Sequence, residues 1–363
     1  MSNARQQYDT IVIGGGQAGL ATGYYLKQRR RDFIILDGAE RIGDAWRNRW
    51  DSLRLFTPAR YNSLPGLPFP AHPQAYPTKD EVADYLESYA AYFDLPIQQR
   101  VWVQRLAKEG ERFVLTAGEH SFEANNVMVA MSNYQVPKIP PFAEELDPGI
   151  RQLHSSDYRN LSQLRDGGVL LVGAGNSGAE IGLEVAHKHP TWVAGPDVGY
   201  VPFRLEGAFT RHLVARLVNG FVFHHLLSLK TPVGRKARPR MLTGAGPLVR
   251  VKPDDLLAAG VERVPRMVGV ENGKPIVGEG RCLDVANVIW CTGFRPNFSW
   301  INLPVFGNEE YPVEPRHRRG IVQDVPGLYF VGLFFLYALT SSLLGGVGRD
   351  AKFVVDRLVS RSN

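Results

Sequence analysis

The chain has 363 residues, 44% hydrophobic and 21% charged, enough for roughly two domains with ordinary globular cores. Its net charge is +6, but the basic residues are scattered apart from short runs at 29–31, 235–240 and 316–319, and no aromatic-interleaved basic stripe marks a nucleic-acid partner. Two cysteines, Cys282 and Cys291, are too few for a disulfide framework or a zinc site, no stretch reaches the roughly 18 apolar residues of a membrane span, and the polar first residues lack a signal-peptide core, so a cytoplasmic protein without metal is expected.

Residues 8–37 read as strand, glycine turn, helix and strand. Three β-branched residues, Ile11-Val12-Ile13, lead into Gly14, Gly16 and Gly19, and a helical stretch follows over 18–29. In a dinucleotide fold the first glycine allows the sharp turn, the second admits a pyrophosphate to the backbone, and the third lets helix and strand pack closely. The helix N-terminus then offers free N–H groups and a partial positive charge to phosphates. The strand Phe33-Ile34-Ile35-Leu36 ends in Asp37, close to where a ribose-binding carboxylate belongs, about 20 residues past the turn. The glycine pattern alone is weak evidence; strand, turn, helix, strand and acid in order make it informative.

Residues 42–58 read as a structured loop rich in aromatics and arginine, and 61–77 as an extended, proline-rich path. Thr78 and Glu81 form a capping box that opens a helix reaching about Phe93. Short strands at 102–106, 112–116, 120–123 and 126–130 suit an antiparallel meander, and 133–141 is a proline-rich hinge. A second copy of the opening pattern follows. The strand 169–172 leads to Gly173-Ala174-Gly175-Asn176-Ser177-Gly178, a helix over 179–187 and a strand over 191–194. Two such folds imply two dinucleotides with electrons passing between them; one working site beside a decayed copy is the alternative. The amphipathic stretch 208–230 reads as an inserted helical element, with a lid, a membrane-surface helix or a partner surface as other readings. A basic loop at 235–240, a buried strand at 285–290, a second hinge at 291–296, a strand at 328–332, a loop at 334–348 and a helix over 349–359 complete the chain.

With these motifs in this order, including Gly43 to Trp46 and Cys291-Thr292-Gly293-Phe294, the chain resembles the flavin-containing monooxygenases, in particular short bacterial members related to Baeyer–Villiger enzymes. The resemblance implies an α/β protein with two Rossmann-like dinucleotide-binding domains. The NAD(P)-binding domain (143–291, with a helical insertion around 203–250) would be inserted into an FAD-binding domain (1–142 and 292–363). Gly14, Gly16, Gln17, Ala18 and Gly19 would hold FAD, with Asp37 on its adenosine ribose. Gly43 and Trp46 would wrap the flavin side, Val103, Gly332 and Leu343 would complete the FAD contacts, and 341–346 would close over the isoalloxazine ring. Gly173, Gly175, Asn176, Ser177 and Gly178 would bind NADPH and/or NADH, and Thr292 and Gly293 mark the crossover between domains. The implied reaction passes hydride from NAD(P)H to FAD, forms a C4a-peroxide with O₂, and gives oxygen to a small substrate: a sulfide, an amine or a ketone. A homodimer is one option for its assembly.

The chain departs from the family pattern in three places. The usual Phe-x-Gly-x-x-x-His linker survives only as His154, Ser155 and Tyr158, with no Phe and with Gly149 one residue too far from His154. Phe56 stands about where larger members carry an Asn near the flavin, which weakens the case for efficient oxygenation. After the strand at 191–194 the chain reads Gly195-Pro196-Asp197, without the Arg that pairs with the 2′-phosphate of NADPH, although Arg204 follows. Acceptance of NADH as well as NADPH is therefore expected. Catalytic candidates are Phe56, in an apolar wall with Trp46, Phe334, Phe335 and Tyr337, and Arg54, which either stabilises an anionic flavin species or pairs with Asp51. His154 reads as structural. The absence of a Cys-x-x-Cys pair argues against disulfide-reductase chemistry. A non-oxygenating flavin oxidase or reductase, and a redox-sensing nucleotide-binding module, are the rival readings.

Overall fold

The computed structural model describes residues 5–202, 225–244, 246–307 and 314–362. Strand β1 (Gln6–Ile13) sinks from exposed Gln6 to fully buried Ile11 and Val12, and the glycine turn hands the chain to α1 (Gln17–Gln28) and β2 (Phe33–Leu36). A short α2 (Asp44–Arg47) precedes α3 (Lys79–Tyr92). The expected capping box is present at α3: Thr78 Oγ1 accepts from the Glu81 N–H at 3.2 Å, and the Glu81 carboxylate accepts from the Thr78 N–H at 2.7 Å. Strands β3 (Ile97–Gln98), β4 (Arg105–Glu109), β5 (Arg112–Ala117) and β6 (His120–Val129) follow. The two strands expected at 120–123 and 126–130 are one. Although Asn125-Asn126 has turn character, pairing with β1 carries the strand through it (Tyr8 with Ala124, Thr10 with Asn126), and β6 pairs antiparallel with β5 at its start while running parallel beside β1 along most of its length.

After β7 (Val136–Pro137) come β8 (Arg151–His154), β9 (Val169–Val172), α4 (Asn176–Val185), β10 (Thr191–Ala194), α5 (Pro232–Thr243), α6 (Pro253–Ala258) and β11 (Glu262–Val264). A three-stranded sheet of β12 (Met267–Glu271), β13 (Lys274–Val277) and β14 (Arg281–Cys282) precedes β15 (Asn287–Trp290), β16 (Phe294–Arg295), β17 (Leu328–Phe330) and the last helix, α7 (Leu344–Ser362). The first sheet has the order β3-β2-β1-β6-β5-β4, with β17 also on β6; the second, wholly parallel, has the order β11-β10-β9-β15-β8. Strands such as Phe33–Leu36 and Val169–Val172 are unbroken apolar runs because helices or loops cover both faces of a parallel sheet. One sheet thus draws strands from both ends of the chain and the other from its middle, so the second Rossmann-like unit is inserted into the first. The two hinges seen in the sequence meet as the antiparallel ribbon β7–β16, where the Lys138 N–H donates to the Gly293 carbonyl at 3.0 Å.

Three local expectations change. The last helix starts at Leu344, five residues before the sequence suggests, and runs through Gly345, Gly346 and Gly348. Glycine disfavours a helix, but here Cβ atoms would overlap the Tyr61 carbonyl, the Thr340 carbonyl and the Pro65 ring respectively, so close packing demands them. The basic loop at 235–240 lies within α5, where Arg238 donates to the Phe335 carbonyl at 3.1 Å and pairs with Glu314. Of the amphipathic stretch 208–230, residues 208–224 lie outside the described residues. Its described end begins with two π-helical residues, His225 and Leu226, and then leaves the helix to form a strap on the C-terminal part of the chain: Ser228 bridges Ala338, the Leu229 N–H donates to the Tyr337 carbonyl at 2.8 Å, and the Leu339 N–H donates to the Leu227 carbonyl at 3.0 Å. Among the described residues no helix is long and apolar enough to cross a membrane, and no group of three His, Cys, Asp or Glu is arranged to hold a metal.

Candidate dinucleotide sites

The two glycine turns are built alike. Gly14 and Gly173 both take positive φ, +107° and +121°. A Cβ placed on Gly19 would lie 1.8 Å from the Gly14 carbonyl oxygen, and one on Gly178 would lie 1.9 Å from that of Gly173. In both copies the third glycine is where the helix touches the turn, so any side chain would drive them apart. Gly16, by contrast, faces open space, with nothing within 4 Å of an added Cβ. Helices α1 and α4 start at Gly16 and Gly175 with no side-chain cap and no acidic residue in the first turn. Each leaves its first N–H groups and the positive end of its dipole to an anion. The geometry fits a pyrophosphate at both places.

Around the first turn, parts of the chain far apart in sequence converge. Gln17 at the start of α1 donates from its amide to the Ser342 carbonyl at 2.5 Å and accepts from Trp46 Nε1 at 3.3 Å. Ala18 lies beneath Gly332, whose added Cβ would meet the Ala18 Cβ at 2.6 Å. The 43–46 loop, the end of β17 and the 341–346 segment therefore surround the N-terminus of α1. Leu343 lies half-buried in that segment, its N–H on the Thr340 carbonyl at 3.0 Å. Gly43, with φ +92°, lets the loop press against Ala83 of α3. Asp37 turns its carboxylate to the main chain, accepting from the Gly15 and Ala39 N–H groups, the latter at 2.7 Å. An ionised carboxylate has about four acceptor positions, so capacity for a ribose hydroxyl is left. Val103 is buried near this end, in a segment tied to β2 through the Val101 N–H on the Asp37 carbonyl at 2.9 Å. Gly15 escaped sequence reasoning: a Cβ there would strike Ile42 and Asp37.

At the second turn Asn176 is committed to protein. Its amide donates to the Pro247 carbonyl at 3.0 Å and its oxygen accepts from the Val249 N–H at 2.8 Å, so it shapes the rim of the turn. Ser177 is half-buried in the first turn of α4. Beyond β10, Asp197 is exposed and folds back to accept from the Gly199 N–H at 2.8 Å; Arg204 lies outside the described residues. Sheet order supplies another cation. Arg263 on β11, beside Val193, donates to the Pro196 carbonyl at 3.4 Å, and its buried Nε has no partner among the described residues. No sequence signal marked it, because β11 neighbours β10 only in the folded sheet.

At the crossover His154 is structural. Its Nε2 donates to the Gly293 carbonyl at 3.0 Å, its Nδ1 accepts from the Ser156 N–H at 3.2 Å, and its ring meets Phe294 edge-on at 4.9 Å. Burial pushes its pKa below the ordinary histidine value, in keeping with a neutral ring. Thr292 Oγ1 donates to the Lys138 carbonyl, closing the ribbon. The catalytic candidates are less engaged. Arg54 is exposed and donates to the Tyr76 carbonyl at 3.2 Å, while Asp51, its expected partner, accepts from Asn160 at 2.6 Å. Phe56 is half-buried. Phe335 is fully buried, and Tyr337 packs on the guanidinium groups of Arg319 and Arg349. Burial raises the Cys291 thiol to about 12, and Cys282 is exposed, so neither provides a reactive thiolate pair.

The pyridine nucleotide-disulphide oxidoreductase family profile matches residues 11–193. An uncharacterized CzcO-like oxidoreductase of Geobacillus kaustophilus is 39% identical over 354 residues, 97% of this chain and 98% of the relative. A protein named "probable indole-3-pyruvate monooxygenase YUCCA7" from Arabidopsis thaliana is 30% identical over 381 residues, 95% and 86% of the two chains. Among solved structures, a flavin-containing monooxygenase from Stenotrophomonas maltophilia matches with a TM-score of 0.78 at 28% identity, covering 99% of this chain and all of that one. Likeness of this kind along the whole chain, joined to a pair of matching glycine cradles and no dithiol, places the protein in a definite group: it belongs to the flavin-containing monooxygenases, oxidoreductases that work with FAD and NADPH.

Proposed function

We propose that the protein transfers one atom of O₂ to a soft nucleophile, a sulfide or amine, or to a ketone, the other atom leaving as water as NAD(P)H and a proton are consumed. The observation that carries this reading is the doubled cradle: two glycine turns of the same build, each leading to a helix N-terminus without a side-chain cap or an acidic residue in its first turn, with open space at Gly16 of the first. In this reading FAD occupies the first and, when bound, supplies the hydride-accepting and oxygen-activating chemistry, while residues 143–291 present NAD(P)H. The chain's own task is positioning. Gln17 ties the 341–346 segment and Trp46 to the start of α1, which fixes the cofactor's surroundings and keeps water from the reacting face. Arg263 takes the place of the absent arginine after β10, as a cation for the 2′-phosphate. It stands on the neighbouring strand and also holds the Pro196 carbonyl, so selectivity is modest and NADH is accepted.

A second reading, an oxidase that releases H₂O₂ from the same NAD(P)H, proton and O₂, is favoured by Phe56 standing where an amide would be expected and by the exposure of Arg54. One experiment separates them. The purified protein is expected to be yellow and to bleach on anaerobic addition of NADPH. In air, with a thioether present, sulfoxide is expected in amounts comparable to the NADPH consumed. Peroxide equal to NADPH with no sulfoxide, repeated with an amine and a ketone, refutes the oxygenase reading. A colourless protein that does not take up FAD refutes both.

A further inference from the structure

We propose that a pocket beside the last helix, with no residue of either glycine turn in its lining, binds a small aromatic carboxylate. The cavity measures about 530 Å³, within the range of small-molecule sites, and is lined by Lys230, Arg318, Arg319, Tyr337, Phe353 and Arg357. Ile321 and Gln323 complete the lining, so four of the eight residues are cations, and among the described residues no acidic side chain lines the pocket. Among the described residues no carboxylate pairs with Lys230, Arg318 or Arg357, all three exposed. Arg319 is held differently. Its guanidinium carbon lies 4.0 Å from the Tyr337 ring centre and 3.8 Å from that of Phe353, and Nη2 stands 3.8 Å from the fully buried Asp350 carboxylate.

The backbone supports this assignment. Arg318 and Ile321 close a tight hairpin through N–H to carbonyl bonds of 2.9 and 3.2 Å, with Arg319 at φ +53° and Gly320 at φ +84° as its central pair. Such turns favour Asn, Asp or Gly at the first central position, and a long side chain there is strained. Here the strain sets a guanidinium between two aromatic rings at the edge of a cavity. Arg349 also stands 4.9 Å from the Tyr337 ring centre and Arg357 5.6 Å from that of Phe353, so the two rings offer a ligand ring their edges, and the cations that have no carboxylate partner among the described residues suit one negative charge beside it. Inorganic phosphate would use the charge and leave the rings idle; a neutral arene would do the reverse. Lys230 follows the strap that pairs with 337–339, so the pocket also has a wall from the inserted unit.

Calorimetry on the purified holoenzyme with 1-naphthoate tests the proposal, with 1-naphthamide and inorganic phosphate as comparison probes. Saturable one-site binding of naphthoate is expected, with naphthamide and phosphate each at least tenfold weaker. Arg318→Gln combined with Arg357→Gln is expected to weaken naphthoate at least tenfold with an unchanged melting temperature, and Lys230→Gln, from a different segment, to weaken it in the same direction. Equal binding of the amide, displacement by phosphate at matching concentration, or naphthoate binding indifferent to these substitutions overturns the assignment. So does a dimer in sedimentation that naphthoate dissociates, which would give the pocket to a second copy of the chain.

Discussion

The first glycine turn makes a sharp prediction, because two of its glycines are required for different reasons. At Gly16 an added methyl group meets nothing within 4 Å, and the backbone (φ −76°, ψ −172°) suits any residue. Gly16→Ala is therefore expected to fold almost as before, with the poorer N-cap and the stiffer unfolded chain roughly cancelling to within about 1 kcal/mol. The methyl group occupies the approach of the pyrophosphate, however. Losing two charge-assisted hydrogen bonds there, at about 1.5–3 kcal/mol each, weakens FAD binding by roughly a hundredfold or more. At Gly19 the methyl carbon would lie 1.8 Å from a backbone oxygen that cannot swing away. Overpacking at the upper end of its range, about 3 kcal/mol, outweighs the roughly 1 kcal/mol that alanine gains over glycine in a helix. Gly19→Ala is thus expected to melt roughly 4–8 °C lower even without flavin. The assay is the ratio of flavin to protein absorbance after gel filtration, with melting temperatures of flavin-stripped protein. If Gly16→Ala keeps its flavin, or if it lowers the flavin-free melting temperature as much as Gly19→Ala does, the cradle argument is wrong.

Other outcomes follow from single side chains. Burial raises the Glu180 carboxyl to about 7 although Arg250 lies 3.4 Å away, so its contribution is fully favourable below the unfolded value of 4.5 and is lost as pH rises through about 7. Glu180→Gln should accordingly raise the melting temperature at pH 8, by up to about 3 kcal/mol of stability, and leave it nearly unchanged at pH 4.5; a loss at pH 8 contradicts this. In stopped flow, NADPH is expected to reduce the flavin with less than about a hundredfold preference over NADH, roughly 2.7 kcal/mol, and Arg263→Gln to bring the two towards equality. A larger preference, or one that Arg263→Gln leaves untouched, refutes the coenzyme reading. Phe56→Asn is expected to raise oxygenated product per NADPH and lower H₂O₂ release; unchanged coupling removes Phe56 from the site.

Much of the fold was readable along the chain because it rests on local rules. Apolar runs of four bounded by aspartate or glycine mark buried parallel strands, and Thr78 with Glu81 marks a helix start whatever lies around it. The two turns were visible for the same reason, since each needs its glycines within six residues. Reading failed where a distant neighbour decided the outcome. The glycines at 345, 346 and 348 look like a loop until Tyr61, Thr340 and Pro65 are seen against them. The run 235–240 looks solvated until Arg238 is found on Glu314 and Phe335.

The sequence by itself determined that this is an α/β protein with two dinucleotide seats, because the motifs that seat phosphates are short, contiguous and dictated by backbone geometry; that the first seat takes a flavin came from the family resemblance of those motifs in their order. Only the tertiary structure decided what surrounds those seats. Gln17 joins Trp46 to Ser342, Arg263 stands beside β10, and the strap at 227–229 lies on 337–339. These are side-chain and edge contacts between segments tens to hundreds of residues apart, and no local periodicity encodes which segments the folded sheets bring together.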